Sequence, residues 1–226
     1  MPERSLNHFS VFTMNDAYWS LASAERAALH EDLLGRLETV AAKLDVYQVY
    51  PARADADFLV WCAVPADEPS STAQFLERFA EATNPHRRYI RPTLTLWGYT
   101  RPSVYGRGSS TQEIDPFAER RQTYLILYPF GKTADWYLKS RDVRQGMMNE
   151  HIRIGRQYPE IQQLLLYSYG LQDQEFVVVY ESEDLVRFSD LVAELRSSEA
   201  RIYTAVDTPT FTAVHRPLDR ALAIWS

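Results

Sequence analysis

The chain has 226 residues, with 46% apolar and 24% charged side chains, the balance of a soluble globular protein with a sizeable core in one large domain or two small ones. A net charge of −6 argues against general nucleic-acid binding, which needs a basic surface, but leaves room for a local cationic cluster around an acidic small molecule. The single cysteine, Cys62, excludes an intramolecular disulfide, a Cys-based zinc site and a Cys-ligated cluster.

The N-terminal residues carry no apolar signal core, and no apolar run is long enough to span a bilayer, so a cytoplasmic location away from the membrane is expected. Residues 6–14 read as a strand. Ser23 opens a helical pattern to about Leu44, with Leu29, Leu33, Leu37 and Val40 on one face. Residues 46–50 alternate as a strand stopped by Pro51, and 57–64 form a more continuous apolar strand. A helix over 70–82 carries Phe75, Leu76 and Phe79, and 89–99 closes the half as a strand.

Gly, Ser and Pro then cluster over 100–116, a linker long enough to cross over a pocket. The second half repeats the order. A strand over 123–128 ends at Pro129, and a helix runs from about Ser140, a plausible N-cap, to Gly155, with Pro159 barring its continuation. Strands over 161–169 and 175–180 flank a turn at 170–174. A helix over 183–196 turns Leu185, Phe188, Leu191 and Leu195 inward, and strand material from 201 to 214 is broken near Pro209.

Each half thus reads β-α-β-β-α-β, a split βαβ unit whose sheet carries helices on one face, giving an α+β class. The expected organisation is an N-terminal half over 1–99, a linker over 100–119 and a C-terminal half over 120–226. The two sheets can close into a barrel, with a pocket inside one of them.

The chemistry concentrates between Tyr128 and Gln163. Val143, Met147, His151 and Ile154 recur at helical spacing, which puts an imidazole on an apolar, Met-lined face. Such a histidine is either a core residue with both nitrogens satisfied or a neutral metal ligand, most simply an axial ligand to haem iron, and the pattern alone leaves both open. Tyr128 is either an edge aromatic or a phenol held near a redox centre. Lys132 and Trp136 follow at steps of four. Arg153 and Arg156 form a solvated helix face or a set of carboxylate clamps.

In the strand over 161–169, alternation separates Gln163, Leu165, Tyr167 and Tyr169 from Gln162, Leu164, Leu166 and Ser168, so only one glutamine can face a pocket. Glu199 is a surface carboxylate or a partner for the imidazole N–H. No Gly-rich phosphate loop, HExxH or nucleophile elbow occurs, and His8, His30, His86 and His215 show no ligand spacing.

Taken together, RADADFLVWCAV (53–64), LWGYTRPSVY (96–105), YLILYPFGKTADWYL, MMNEHIRIGRQYP and YGLQDQEF resemble the chlorite dismutase-like haem proteins, and within them the coproheme decarboxylases. The resemblance covers nearly the whole chain. It implies two ferredoxin-like halves forming a dimeric α/β barrel within one chain, and usually a pentameric ring.

Carried over residue by residue, it makes His151 the proximal iron ligand and Tyr128 the tyrosine oxidised to a radical. Lys132 and Arg156 would hold propionates, and Trp136 would pack near the proximal side. Gln163 falls where true chlorite dismutases carry a distal arginine, which puts chlorite turnover in doubt. The implied activity is hydrogen-peroxide-dependent decarboxylation of two propionates of iron coproporphyrin III (coproheme) to haem b, with an iron-inserting chelatase as the preceding enzyme. The competing readings are a chlorite dismutase or weak haem peroxidase, and a non-catalytic haem carrier or sensor.

Overall fold

The computed structural model describes residues 4–102, 105 and 111–226, so the linker reading falls partly on residues outside the described set. The first half contains β1 (Ser5–Met14), a short helix α1 (Asp16–Trp19), α2 (Ser23–Glu38), β2 (Lys43–Gln48), β3 (Phe58–Pro65), α3 (Ser71–Thr83) and β4 (Ile90–Tyr99). The second contains β5 (Tyr124–Lys132), α4 (Ala134–Leu138), α5 (Arg141–Gly155), β6 (Gln162–Tyr167), β7 (Phe176–Ser182), α6 (Leu185–Arg196), β8 (Thr204–Val206) and β9 (Phe211–Arg216).

The strand order runs β4-β1-β3-β2 in the first half and β9-β5-β7-β6 in the second, the same order when each half's four long strands are numbered from its start. Pairing of β4 with β6 and of β2 with β9 joins the edges. Eight antiparallel strands therefore close into one barrel, with β8 attached outside the ring to β5. These are the two ferredoxin-like repeats of an α+β barrel.

Strand alternation explains the layering. In β1, Phe9 and Val11 enter the barrel interior while Leu6, Phe12 and Met14 pack under α2 and α3. In β5, Leu125 and Leu127 point inward while Ile126, Tyr128 and Phe130 face α5 and α6. Leu29, Leu33 and Leu37 of α2 are buried as expected, and Leu185, Phe188, Leu191 and Leu195 of α6 join the outer cluster of the second half. The barrel interior is filled by side chains from both sheets, among them Phe9, Trp61, Leu96, Leu164, Leu166 and Phe211. A pocket inside a sheet is therefore not what the fold offers, and the candidate residues lie on the outer face of the second sheet or on the helices α4 and α5 outside it.

Several boundaries differ from expectation. The helix from Ser23 stops at Glu38, where the Thr39 hydroxyl donates to the Arg36 carbonyl, and Leu44 belongs to β2, paired with Cys62. Val143 is exposed, although helical spacing put it on the apolar face of its helix, and Leu76 of α3 is exposed as well.

Strand β5 does not end at Pro129 but runs on to Lys132, with Pro129 opposite Val177. Pairing with β9 ends at Leu127 and pairing with β8 begins at Gly131, so the proline falls where that side of β5 has no partner and a missing N–H breaks no ladder bond. From 199 to 206 the chain forms a 3-10 turn over Glu199–Tyr203 and then the short β8.

The seam between the halves requires a glycine. A Cβ on Gly98 would lie 2.6 Å from Ser168 Oγ and 2.8 Å from the Tyr167 carbonyl, closer than any real packing distance. Among the described residues, no helix is long and apolar enough to cross a membrane.

Candidate functional site

Two aromatic clusters cover the outer face of the second sheet. One contains Ile126, Tyr128, Phe130, Val178, Tyr180 and, from α5, Ile154. The other contains Trp136 of α4, Met147 and Met148 of α5, Ala200, Tyr203 and Tyr105. Helix α5 spans both, and His151 lies between its Met pair and Ile154, one turn from each. The helix begins where expected: the Ser140 hydroxyl accepts from the Val143 N–H at 3.4 Å.

His151 is half-buried, and among the described residues no protein group hydrogen-bonds its imidazole. Burial first, and then the Lys132 charge, lower its pKa to about 4, against an opposing pull from Glu150. The ring is therefore neutral near pH 7, with a lone pair free to bind a metal. The neighbouring carboxylate that acts on it is Glu150, not Glu199. Glu199 is exposed, and its backbone N–H donates to Glu150 Oε2 at 3.1 Å.

Lys132 bridges the two clusters. Its Nζ donates to the Ala200 carbonyl at 3.0 Å and lies 4.5 Å from the Trp136 ring centroid and 5.2 Å from that of Phe130. Burial and then the Arg201 charge lower its pKa to about 8, so it remains mostly cationic at neutral pH. Trp136 is buried and packs on Tyr203 at 5.8 Å between centroids.

Tyr128 is half-buried, its ring stacked with Tyr180 at 6.4 Å. Burial, and then the Tyr180 phenol, drive its pKa well above the usual tyrosine value, so the phenol keeps its proton throughout the neutral range.

The alternation in β6 appears as expected. Leu164, Leu166 and Ser168 are buried, while Gln163 and Leu165 are exposed on the other face. Register puts Gln163 opposite Tyr180 and Leu165 opposite Val178, which itself pairs with Tyr128. Gln163, rather than Gln162, therefore shares the sheet face of Tyr128. It stands two strands away, a span of about 10 Å across the sheet, which is wide enough for a flat ligand between them. Arg156 stands exposed at the C-cap of α5 and makes no ion pair among the described residues.

The sequence reading missed Gln112. Its side-chain amide donates to the carbonyls of Gly155, Tyr158 and Ile161 at 3.2, 2.9 and 3.1 Å, closing the C-terminal end of α5. Its backbone carbonyl accepts from Gln163 N at 2.7 Å, and Ile114 N donates to the Gln163 carbonyl at 3.0 Å. One residue thus ties the helix of His151 to the strand of Gln163. No local signal reveals this, because the bonds span more than 40 residues.

A second unforeseen set surrounds Glu175, whose Oε2 accepts from the Lys132 N–H at 2.7 Å and from the Tyr137 hydroxyl at 2.5 Å. It anchors the turn between Lys132 and Trp136.

Comparison with known proteins agrees with this architecture. Residues 17–216 match the family model described as Chlorite dismutase. The chain is 28% identical over 180 residues to the coproheme decarboxylase of Mycolicibacterium smegmatis, covering 79% of this chain and 75% of that protein. It is 30% identical over 159 residues to the coproheme decarboxylase of Staphylococcus carnosus, covering 64% and 62%.

The chlorite dismutase of Candidatus Nitrospira defluvii, solved in complex with imidazole, superposes with a TM-score of 0.83 at 24% identity, over 98% of this chain and 94% of that one. The fold and the outer-face site define a protein of the dimeric α/β-barrel class. The chain belongs to the chlorite dismutase family.

Proposed function

We propose that this protein is a coproheme decarboxylase, acting on iron coproporphyrin III with hydrogen peroxide to give haem b. The observation that carries the reading is a half-buried His151 that no described protein group hydrogen-bonds, near enough to Lys132 to feel its charge, on the helix whose Ile154 packs in the same cluster as Tyr128. Among the described residues, no three His, Cys, Asp or Glu side chains group to hold a metal ion between them. A lone imidazole suits an iron that brings its own equatorial nitrogens. The residues present therefore fit an iron porphyrin, and the two relatives named coproheme decarboxylase support this particular one.

Bound coproheme supplies the redox-active iron and the propionates that are lost. His151 holds the iron from the helix side. Lys132 and Arg156 hold propionates, Lys132 as a point charge and Arg156 as a fork. Trp136 packs beneath this arrangement. Tyr128 would give up an electron and its proton together, with hydrogen peroxide as the terminal oxidant, and its phenoxyl radical would take a hydrogen atom from a propionate β-carbon. Each round converts one propionic acid and one hydrogen peroxide into a vinyl group, carbon dioxide and two waters. Gln163, in place of a cationic side chain, leaves the far side of the face without a charge to retain a chlorine oxyanion.

The half spanning 120–226 bears the ligand, 100–119 links it to 1–99, and the assembly is a homo-oligomer in the cytoplasm, with a pentamer the family expectation. An iron-inserting chelatase supplies the substrate.

The deciding experiment incubates the protein with coproheme and peroxide and weighs the porphyrin. Stepwise loss of two carboxyl groups is expected. An unchanged porphyrin, or oxygen release from chlorite instead, refutes the reading.

A further inference from the structure

Arg144 has no assigned task. It lies on α5, seven residues before His151, on the face that includes Met147, Met148 and His151. It is half-buried, its Nε is shielded from solvent with no hydrogen-bond acceptor, and it makes no ion pair among the described residues. A guanidinium N–H withdrawn from water without an acceptor is unfavourable, and such a group calls for an explanation. Arg141 and Arg153 on the same helix are exposed and raise no such question, since water satisfies them.

We propose that Arg144 binds a carboxylate of the porphyrin, a contact that rests on the coproheme reading above. An axial ligand sits under the centre of the macrocycle, whereas a carboxylate clamp must reach its periphery. On a helix rising about 1.5 Å per residue, Arg144 is displaced about 10 Å from His151 toward the N-terminus, and Arg156 about 7.5 Å toward the C-terminus. The two arginines bracket the ligand position along one helix. Coproheme carries four propionates, and Lys132 and Arg156 account for two. Arg144 supplies a third cation, and as a planar fork it suits a carboxylate better than a lysine would.

The test titrates the full chain with ferric coproporphyrin III, which has four carboxylates, and with haem b, which has two, following absorbance and tryptophan quenching at low and high salt. Arg144→Gln is expected to weaken coproporphyrin binding about tenfold or more, with a shallower salt dependence. Arg144→Lys should recover part of the loss, while Arg141→Gln on the exposed face should bind as the parent does. A loss confined to coproporphyrin assigns the contact to a propionate that the reaction removes, and an equal loss for haem b assigns it to one that is kept; both support the proposal. Unchanged affinity for both ligands in Arg144→Gln, with the fold verified by melting, overturns it. Failure of the parent chain itself to bind ferric coproporphyrin III would instead defeat the functional reading on which the contact rests.

Discussion

Tyr128 and His151 owe their chemistry to where they sit. A phenol of ordinary pKa already keeps its proton at neutral pH, and burial widens that margin for Tyr128. Packed against Tyr180 on a helix-covered sheet face, Tyr128 stays protonated, so oxidation must remove a proton along with an electron. Tyr128→Phe keeps the ring and deletes only the hydroxyl. It should leave coproheme affinity within about twofold, since little binding depends on that group, and abolish vinyl formation, as seen by mass analysis of the porphyrin. Retained decarboxylation would end the radical role. His151→Ala should remove the proximal histidine signature from the absorption and resonance Raman spectra of the ligand-bound protein, and an unchanged signature would disprove the ligation.

At the scale of elements, α5 carries the candidate residue His151, and both its ends are held by side chains. Ser140 caps the start through the Val143 N–H. At the other end, Gln112 reaches three carbonyls from a segment that also pairs with Gln163. Gln112→Ala strands those carbonyls and should cost about 1–3 kcal/mol of stability. It should also loosen α5 against β6, weakening coproheme affinity even at temperatures where the variant is fully folded. A lower melting temperature with unaltered affinity would make Gln112 structural only. The Ser140 cap was legible because capping is local and has a residue signature. The Gln112 contact was not, because it depends on which distant carbonyls the fold brings within reach of an amide.

At the scale of the molecule, a buried ionic group ties the halves together. Arg121, just before β5, donates to Asp45 of β2 at 2.8 Å and lies 3.7 Å from Glu181 of β7, with its guanidinium 4.2 Å from the Trp61 ring centroid. His215 of β9 stands 3.6 Å from Asp45, and Lys43 3.3 Å. A single buried arginine between two carboxylates cannot stabilise both charges fully.

Burial raises the Glu181 pKa to about 7, with Arg121 opposing the shift. Because the folded value exceeds the ordinary 4.5, the stability linked to this proton is fully present below about 4.5 and is lost as pH rises through about 7. Glu181→Gln should therefore flatten the decline in stability between pH 5 and 8, with its largest relative gain at the alkaline end. Melting curves across that range provide the check, and a parallel decline in parent and variant would contradict it.

By itself the sequence determined the repeated strand–helix order, the helix from Ser140 to Gly155 and the two faces of β6. All of these follow from periodicity, capping and motif spacing within short stretches of chain. Tertiary structure alone decided that the barrel interior is packed and the candidate residues lie outside it, since that depends on which face of each strand meets the helices once the sheets close. It also decided that Gln163 rather than Gln162 shares the face of Tyr128, that Glu150 rather than Glu199 acts on His151, and that β5 continues through Pro129. Each of these turns on register between strands or on contacts between elements far apart in sequence, where burial and pairing override local preference.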